Sequence, residues 1–395
     1  MLTYAKMYLY SQLRNFKNDI NIGIVGCGKF VTMFLAQFNN LSKISILCIV
    51  DVDIEKAKQN CIKSGLHKEI IKNIYFTDTV DDLIQNKKID IAIEATGNAK
   101  AGIINAFKII KNKINLIMVN VEADVVSGKY LSDLADENGT LYSMAYGDQP
   151  SLIIELIEWA FLNGFHPVCA GKGTKHHPSF EYSTPDTVWE HYGISKKKAL
   201  LSGMNSKMFN SFITGDKSSI EMAAVVNGSE LNLPRNGLSY PSLGTHELAK
   251  KLIPRKNGGL LEYEREVEVI SSIDKNKNDI KNHLRWGVFL VMKGKNDYIK
   301  NCFFQYGITS DETSDYSAIW RPYHFIGMEL AQTIYSLALN KMPTGKTLYY
   351  KAEIATVAKK DIYPGQILDG EGGYFVRGKL ISSNYSKSNK VLPLG

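Results

Sequence analysis

A strand-and-glycine pattern near the start of the chain constrains the fold more than any other feature. Residues 20–25 read INIGIV, which alternates and then becomes continuously apolar, as a strand buried on both sheet faces does. Gly26 and Gly28 follow at once, FVTMFLAQF then has helical apolar spacing, and a second apolar run ends at Asp51. This order predicts a doubly wound α/β unit that binds a dinucleotide. Val31 stands where the pattern has a third small residue, so we expect the helix to sit slightly off the strand.

Each part of this pattern suits one part of a dinucleotide. Gly26 and Gly28 allow a tight turn close to the pyrophosphate. The helix begins at Lys29 and Phe30, whose unpaired backbone N–H groups favour an anion. Asp51 follows Gly28 at about the 20-residue offset at which a carboxylate meets the ribose hydroxyls. Its charge opposes a 2′-phosphate, so the sequence favours NAD over NADP among the NAD(P)H cofactors.

Strand and helix signals go on alternating after Asp51. Apolar strands cover residues 89–97 and 114–124, and short connections join them to helices, which indicates a parallel, doubly wound sheet. Ligands bind such a sheet at the carboxyl ends of its strands. The further cofactor-binding residues expected there are Thr96, Gly97, Asn120 and Glu122.

The pattern divides the chain into three predicted domains of an α/β protein. Residues 1–150 form an N-terminal Rossmann domain. A long apolar helix starts at Pro150, after which the alternation becomes less regular, so residues 151–345 fit an α+β catalytic and dimerisation domain. Short strand and turn signals in residues 346–395 fit a small all-β domain.

Composition excludes several other classes of protein. The formal net charge of +7 comes from scattered lysines, so we expect a solvated surface and no nucleic-acid partner. Five cysteines without a CxxC pair argue for a reducing compartment and against structural zinc. The first 16 residues contain no long apolar run or cleavage-like site, and no window approaches a membrane span. We expect a cytoplasmic protein with no membrane partner.

The densest polar cluster is AGKGTKHHPSFEYSTPDT, residues 170–187. Glycines flank Lys172, so we expect Lys172, Thr174 and Lys175 to project from an open backbone that cradles an anion. His176 and the histidine after it point opposite ways on a strand, which disfavours a shared metal, and one of them is a candidate acid or base. A solvated loop with one capped histidine is the alternative.

A second cluster covers residues 203–228. Asn205 and Lys207 lie in a turn-like stretch ahead of a helix, where they are candidate substrate ligands or ordinary loop residues. Lys217 and Glu221 are one turn apart on that helix, a spacing typical of a surface ion pair.

A third cluster, WRPYHFIGMELA, covers residues 320–331. Arg321, Tyr323 and His324 precede an apolar helix, so a guanidinium, a phenol and an imidazole are expected to hold an anion at a helix start. Packing explains Tyr323 equally well. Acids elsewhere in the chain have no diagnostic spacing, so the metal ligands stay unknown.

Several long motifs stand out along the chain. They are MVNVEADV (118–125), YGDQP (146–150), GKGTKHHPS (171–179), STPDT (183–187), KMFNSF (207–212), RPYH (321–324) and LDGEGGYFVRGKL (368–380). Together they resemble one enzyme family, the homoserine-dehydrogenase-like oxidoreductases with a C-terminal SAF domain, a group that includes the deoxyxylulose-phosphate reductoisomerase-like enzymes. The resemblance implies a nicotinamide-dependent homodimer or higher homo-oligomer whose C-terminal β unit is the SAF domain.

The expected function is hydride transfer to or from a small anionic sugar derivative. The reductoisomerase-like members convert 1-deoxy-D-xylulose 5-phosphate to 2-C-methyl-D-erythritol 4-phosphate with NADPH, usually with a divalent metal. Lys172, Lys175 and Arg321 are expected to hold the anion, and Lys172 or His176 to move the proton. The alternatives are a homoserine-dehydrogenase-like enzyme and a dinucleotide-binding sensor without turnover.

Overall fold

A computed structural model describes residues 9–202, 204–313 and 315–394. The first eight residues of the N-terminal segment lie outside the described residues. The first part of the chain contains α1 Leu9–Asn15, β1 Ile20–Val25, α2 Lys29–Phe38, β2 Ile44–Val50, α3 Ile54–Lys63, α4 Lys68–Asn73, β3 Tyr75–Thr77, α5 Val80–Gln85, β4 Ile91–Glu94, α6 Ala99–Lys111, β5 Asn115–Met118, α7 Val121–Glu137, β6 Tyr142–Met144 and α8 Gln149–Leu162.

The rest of the chain mixes shorter elements of both kinds. It contains β7 His166–Thr174, α9 Val188–Tyr192, α10 Lys196–Leu201, α11 Ser206–Thr214, α12 Asp216–Asn227, α13 Leu248–Lys251, β8 Glu266–Ser271, β9 Val288–Lys293, α14 Asp297–Gln305, β10 Thr309–Ser310, β11 Tyr316–Arg321, α15 Leu330–Tyr335, β12 Ala352–Ala358, β13 Val376–Ser382 and α16 Ser383–Asn389.

The first sheet is the predicted Rossmann sheet. Its six strands are all parallel, in the order β3-β2-β1-β4-β5-β6. Strand order reverses between β1 and β4, the point at which such sheets bind ligands beyond the carboxyl ends of the strands. The strands contribute to two separate apolar cores. One contains Ile24 and Phe34, and the other contains Ala92 and Leu116. Burial of both faces explains why these strands are almost entirely apolar.

Helix α7 begins earlier than its sequence suggests. The apolar run at 114–124 was expected to be a single strand, but β5 ends at Met118 and α7 starts at Val121. The side chain of Asn120 caps the helix by accepting a hydrogen bond from the Ala123 N–H at 3.1 Å. Glu122 therefore lies in the first turn of a helix rather than at the end of a strand.

The described residues group into two compact units. One comprises the described residues up to Leu152 together with Phe325–Leu348, and the other comprises the described residues of Ile153–His324 and those from Tyr349 onward. Residues 325–348, which their position in the sequence assigns to the catalytic domain, pack with the Rossmann sheet instead. Leu330 and Ile334 of α15 are fully buried in the same apolar core as β1 and α2, so this segment completes the Rossmann unit.

The second unit is built on a mixed sheet of the order β10-β11-β9-β7-β8. Strand β7 is parallel to β8 and antiparallel to β9. The antiparallel hairpin of β12 and β13 belongs to this unit, and both of its strands pack against α12. Helix α16 follows the hairpin, so the predicted all-β C-terminal segment also contains a helix.

None of the helices among the described residues is long and apolar enough to cross a membrane. The five cysteines are free thiols.

Candidate functional site

The glycine turn after β1 has two glycines with different roles. Gly26 has a φ of +88°, and a Cβ there would lie 2.7 Å from the carbonyl oxygen of Ala95. The fold therefore requires a glycine at this position. Gly28 is the N-cap of α2, and nothing lies within 4 Å of the position that its Cβ would take. Open space at a helix N-terminus is what a pyrophosphate needs.

The first residues of α2 divide between solvent and core. The Lys29 side chain is exposed, whereas Phe30 is half-buried and packs against the Rossmann core. Their backbone N–H groups are in the first turn, where a helix leaves donors unpaired. Val31 is fully buried in that core, which accommodates the β-branched side chain.

Asp51 ties the glycine turn to the end of β2. Its Oδ2 accepts a hydrogen bond from the Cys27 N–H at 2.7 Å, and its Oδ1 accepts one from the Asp53 N–H at 3.0 Å. Each carboxylate oxygen has more than one lone pair, so both can still accept from ribose hydroxyls. A role of Asp51 in the choice between NAD and NADP remains a prediction.

The loop after β4 is held by two buried side chains. The Thr96 hydroxyl donates to Glu94 Oε1 at 2.5 Å, and the Asn120 amide donates to the Asn98 carbonyl at 2.9 Å. Gly97 has a φ of +66° with open space around its Cα, so the loop turns sharply there. Glu94 was not among the predicted site residues. Its position at the end of an apolar strand was the one sequence feature that could have indicated it.

The backbone and acid of this unit fit a dinucleotide. The unpaired first-turn N–H groups of α2 and the open space at Gly28 suit the pyrophosphate, and Asp51 suits the ribose. When it is bound, the nicotinamide group supplies hydride chemistry.

The second unit contains a buried ion pair at the centre of its mixed sheet. The Lys172 ammonium, on β7, donates to Glu221 Oε2 on α12, and each residue is only 2% exposed. Glu221 was expected on the surface as the partner of Lys217, but it is buried because α12 is buried almost all round. Spacing along a helix identifies neighbouring residues but does not show which of them are exposed.

The backbone of residues 170–175 was expected to be open and to cradle an anion, and this expectation is wrong. Residues up to Thr174 belong to β7, and their backbone groups pair with β8 and β9. A Cβ at Gly171 would lie 1.7 Å from the Glu268 carbonyl oxygen, and one at Gly173 would lie 1.9 Å from that of Leu284. These glycines allow neighbouring chain segments to approach, rather than a ligand.

His176 lies in a buried polar cluster at the end of β7. Its Nδ1 is 3.0 Å from the Ile213 carbonyl oxygen, and its ring lies 4.0 Å from the ring of Tyr240, centroid to centroid. Burial lowers the pKa of His176 to about 4, so the ring is neutral near pH 7. Since Nδ1 donates to a carbonyl, Nε2 is the nitrogen that can accept a proton.

Two further residues of this unit escaped sequence analysis. Burial raises the pKa of Tyr240, whose hydroxyl donates to the Gly215 carbonyl at 3.1 Å. Burial also raises the pKa of Glu268, which accepts hydrogen bonds from the Ser239 N–H and hydroxyl. Tyr240 belongs to no polar sequence cluster. Glu268 lies in the charged run 262–268, but the sequence does not show which of its acids are buried.

Asn205 and Lys207 take part in contacts within the protein. Asn205 Oδ1 caps α11 by accepting from the N–H groups of Lys207 at 3.0 Å and Met208 at 3.2 Å. The Lys207 ammonium donates to the carbonyl of Asp369, which is in the connection between β12 and β13. Lys207 thus ties that connection to α11, and the role of both residues as substrate ligands remains a prediction.

Arg321, Tyr323 and His324 are not at a helix start. Arg321 ends β11, and residues 325–329 separate His324 from α15. The Arg321 guanidinium lies 5.2 Å from the centroid of the Tyr323 ring, and His324 Nδ1 is 2.7 Å from the Trp286 carbonyl oxygen. The predicted anion site therefore lacks the helix N-terminus that was expected to support it.

The remaining two predicted residues lie at the end of β7. The Thr174 carbonyl accepts from the Ser272 N–H at 2.8 Å, and the Lys175 ammonium donates to the His191 carbonyl at 2.7 Å. In residues 9–202, 204–313 and 315–394, no three or more His, Cys, Asp or Glu side chains form a group that could hold a metal ion.

A Rossmann unit with this glycine turn, joined to a mixed-sheet unit with a buried lysine, is typical of a nicotinamide-dependent oxidoreductase. Residues 20–146 match the model of the oxidoreductase family with an NAD-binding Rossmann fold, and residues 147–330 match that of the oxidoreductase DRL catalytic domain. Each match covers less than half of the chain, and together they support an oxidoreductase with a nicotinamide cofactor.

Solved structures similar to this chain are also dehydrogenases or oxidoreductases. An oxidoreductase from Bacillus cereus is 16% identical over 82% of this chain and 90% of its own, with a TM-score of 0.41. S. aureus homoserine dehydrogenase is 20% identical over 37% of this chain and 43% of its own, with a TM-score of 0.26. The WlbA dehydrogenase from Bordetella pertussis is 15% identical over 42% of this chain and 49% of its own, with a TM-score of 0.31. This chain thus matches less than half the length of each of these two dehydrogenases. A comparison with curated proteins gave no match.

Proposed function

We propose that this oxidoreductase acts on a small anionic sugar derivative, with 1-deoxy-D-xylulose 5-phosphate as the first candidate. The buried Lys172–Glu221 pair carries the proposal, because a buried cation within an oxidoreductase catalytic domain is well suited to move a proton. In the same proposal the antiparallel hairpin of β12 and β13 belongs to a SAF domain. Cytoplasmic location and a homodimer remain predictions.

The proposed chemistry is reduction of a carbonyl group. The carbonyl carbon gains a hydride, and its oxygen gains a proton from the Lys172 ammonium. A lysine ammonium has three N–H donors, so Lys172 can donate to the substrate oxygen while still bonded to Glu221. Glu221 is the positioning residue, since its carboxylate accepts a hydrogen bond from the ammonium and so orients it.

His176 is the second candidate for proton transfer. It is neutral near pH 7, and its Nε2 is the nitrogen that can accept a proton. In the oxidation direction it would act as a base, whereas Lys172 is the better donor in the reduction direction. The reductoisomerase-like enzymes usually need a divalent metal, but the described residues contain no group that fits one, so no step is assigned to a metal.

A substrate panel tests the proposal. The full chain is mixed with NADH or NADPH and with 1-deoxy-D-xylulose 5-phosphate, other phosphosugars, aldonates or homoserine, and the nicotinamide absorbance is followed. We expect turnover with a phosphosugar. Turnover with homoserine alone would replace the proposal by the homoserine-dehydrogenase-like alternative, and cofactor binding without any turnover would favour a sensor.

Variants of the buried pair locate the chemistry. Lys172→Met should abolish turnover while leaving the NADH affinity of the folded variant unchanged, because Lys172 is on β7 of the second unit and not in the glycine turn. Lys256→Met, at an exposed lysine of the same unit, is the matched control and should retain full activity. An active Lys172→Met enzyme would contradict the assigned role.

A further inference from the structure

A cluster of cations surrounds the end of β7 in the second unit. The cluster forms because other segments of the chain lie on both sides of the strand end. On one side, the Ser272 N–H donates a hydrogen bond to the Thr174 carbonyl at 2.8 Å. On the other side, the position of a Cβ at Gly173 is only 3.1 Å from the Arg285 backbone nitrogen. Lys175 and Arg285 therefore extend from adjacent segments of chain.

The guanidinium of Arg285 is held in place but retains donors. Its Nε donates to the Ser272 hydroxyl oxygen at 2.9 Å, and one Nη donates to Asp279. A guanidinium has five N–H donors, so the remaining ones can bind an anion. Ser272 is 1% exposed. Its hydroxyl oxygen accepts a hydrogen bond from Arg285, and among the described residues no group accepts the hydroxyl hydrogen. Such a hydroxyl is a ready donor to an anion beside Arg285.

Two lysines extend the cluster. Lys175 donates to the His191 carbonyl at 2.7 Å, and its ammonium lies 5.6 Å from the centroid of the Tyr192 ring. Lys277 lies 5.2 Å from the ring centroid of Phe180, whose ring packs 4.4 Å from that of His191. Burial, followed by the charge of Arg285, lowers the pKa of Lys175, which agrees with two cations at close range.

The charges of the cluster are not balanced within the protein. Asp279 pairs with Arg285, and its charge also acts on Lys175. Lys277, Lys175 and the acid Glu190 all act on His191. Like charges in a half-buried site repel one another, and a bound dianion relieves the repulsion. A planar guanidinium beside an ammonium and a hydroxyl matches the oxygens of a phosphate better than the two oxygens of a carboxylate.

We infer that Lys175, Arg285 and Ser272 form a binding site for a phosphomonoester, with Lys277 at its edge. Its assignment to the substrate rests on the proposed function, whereas phosphate binding itself does not. Arg285 is a new residue for this chemistry, and it replaces Arg321 as the guanidinium that binds the anion.

Anion titration of the full chain tests the site. Isothermal titration with inorganic phosphate, sulfate and acetate should give saturable binding of phosphate and at least about tenfold weaker binding of acetate. Arg285→Gln and Lys175→Gln should each weaken phosphate binding about tenfold, as loss of one charge-assisted contact predicts. Lys256→Gln, at an exposed lysine of the same unit, should bind phosphate like the wild type.

The outcomes separate this inference from the proposed function. If both variants are folded, as judged by their thermal midpoints, and bind phosphate as tightly as the wild type, the site is overturned. Any phosphate bound is then an adventitious ion only. If Arg285→Gln is poorly folded, Arg285→Lys supplies the test and should restore most of the affinity lost. Specific phosphate binding without turnover of any phosphosugar retains the site and rejects the proposed substrate. Phosphosugar turnover with an unchanged KM in Arg285→Gln rejects the site alone.

Discussion

Breaking the buried Lys172–Glu221 pair should destabilise the protein far more than removing both charges. The two side chains are 2% and 3% exposed, so almost no water remains to solvate whichever charge is left behind. Single Lys172→Met or Glu221→Leu variants should each lose about 3–5 kcal/mol of unfolding free energy, because each leaves an uncompensated buried charge. The double variant replaces both with apolar side chains and should lie within about 1–2 kcal/mol of the wild type.

Urea unfolding followed by circular dichroism measures this double-mutant cycle. Lys256→Met controls for loss of a lysine in general and should change the unfolding free energy by about 0.5 kcal/mol or less. Activity provides an independent readout, because the stable double variant should still lack turnover. Single variants that each lose less than about 1 kcal/mol would refute the reasoning, since the pair would then be effectively solvated.

Other predictions concern the cofactor unit and the pH dependence of stability. Gly28→Ala should weaken NADH binding while leaving the thermal midpoint unchanged, because the added Cβ meets nothing within 4 Å. Gly26→Ala should cost about 1–3 kcal/mol of stability, because Gly26 has a φ of +88° and an added Cβ would clash. Equal thermal midpoints of the two variants would contradict this contrast. Asp51→Asn should raise NADPH affinity relative to NADH in a fluorescence titration, and an unchanged ratio would remove Asp51 from cofactor choice. His176 has a pKa lowered from 6.5 to about 4, so its neutral form stabilises the fold above pH 6.5 and that stability is lost as the pH falls toward 4, by about 3 kcal/mol in total. His176→Gln should flatten this part of the curve of stability against pH, and a curve as steep as that of the wild type would disprove the contribution.

The cofactor unit was predictable because its signals are local. The apolar run of β1, the glycine turn and the spacing to Asp51 each depend on backbone geometry over a few residues, and the structure contains all three. The sequence also indicated the parallel sheet through its alternation of strand and helix. Glu94 escaped notice because only its three-dimensional neighbours distinguish it from an ordinary strand end.

The catalytic unit was less predictable because its contacts join distant segments. Lys172 was selected as a candidate for proton transfer, but its partner Glu221 was expected on the surface and is buried. Gly171 was interpreted as an opening for a ligand, whereas a neighbouring strand occupies that space. Arg285 was not selected at all, because it reaches Ser272 only through the fold.

The sequence by itself determined the class of fold, the glycine turn and the cofactor type, since strand periodicity, positive φ at glycine and helix termini act over short stretches of chain. Only the tertiary structure decided which charges are buried together. It paired Lys172 with Glu221, placed Arg285 beside Lys175, and added residues 325–348 to the Rossmann core. The physical reason is that burial and charge pairing depend on packing between segments that are far apart in the chain, and no local pattern records that packing.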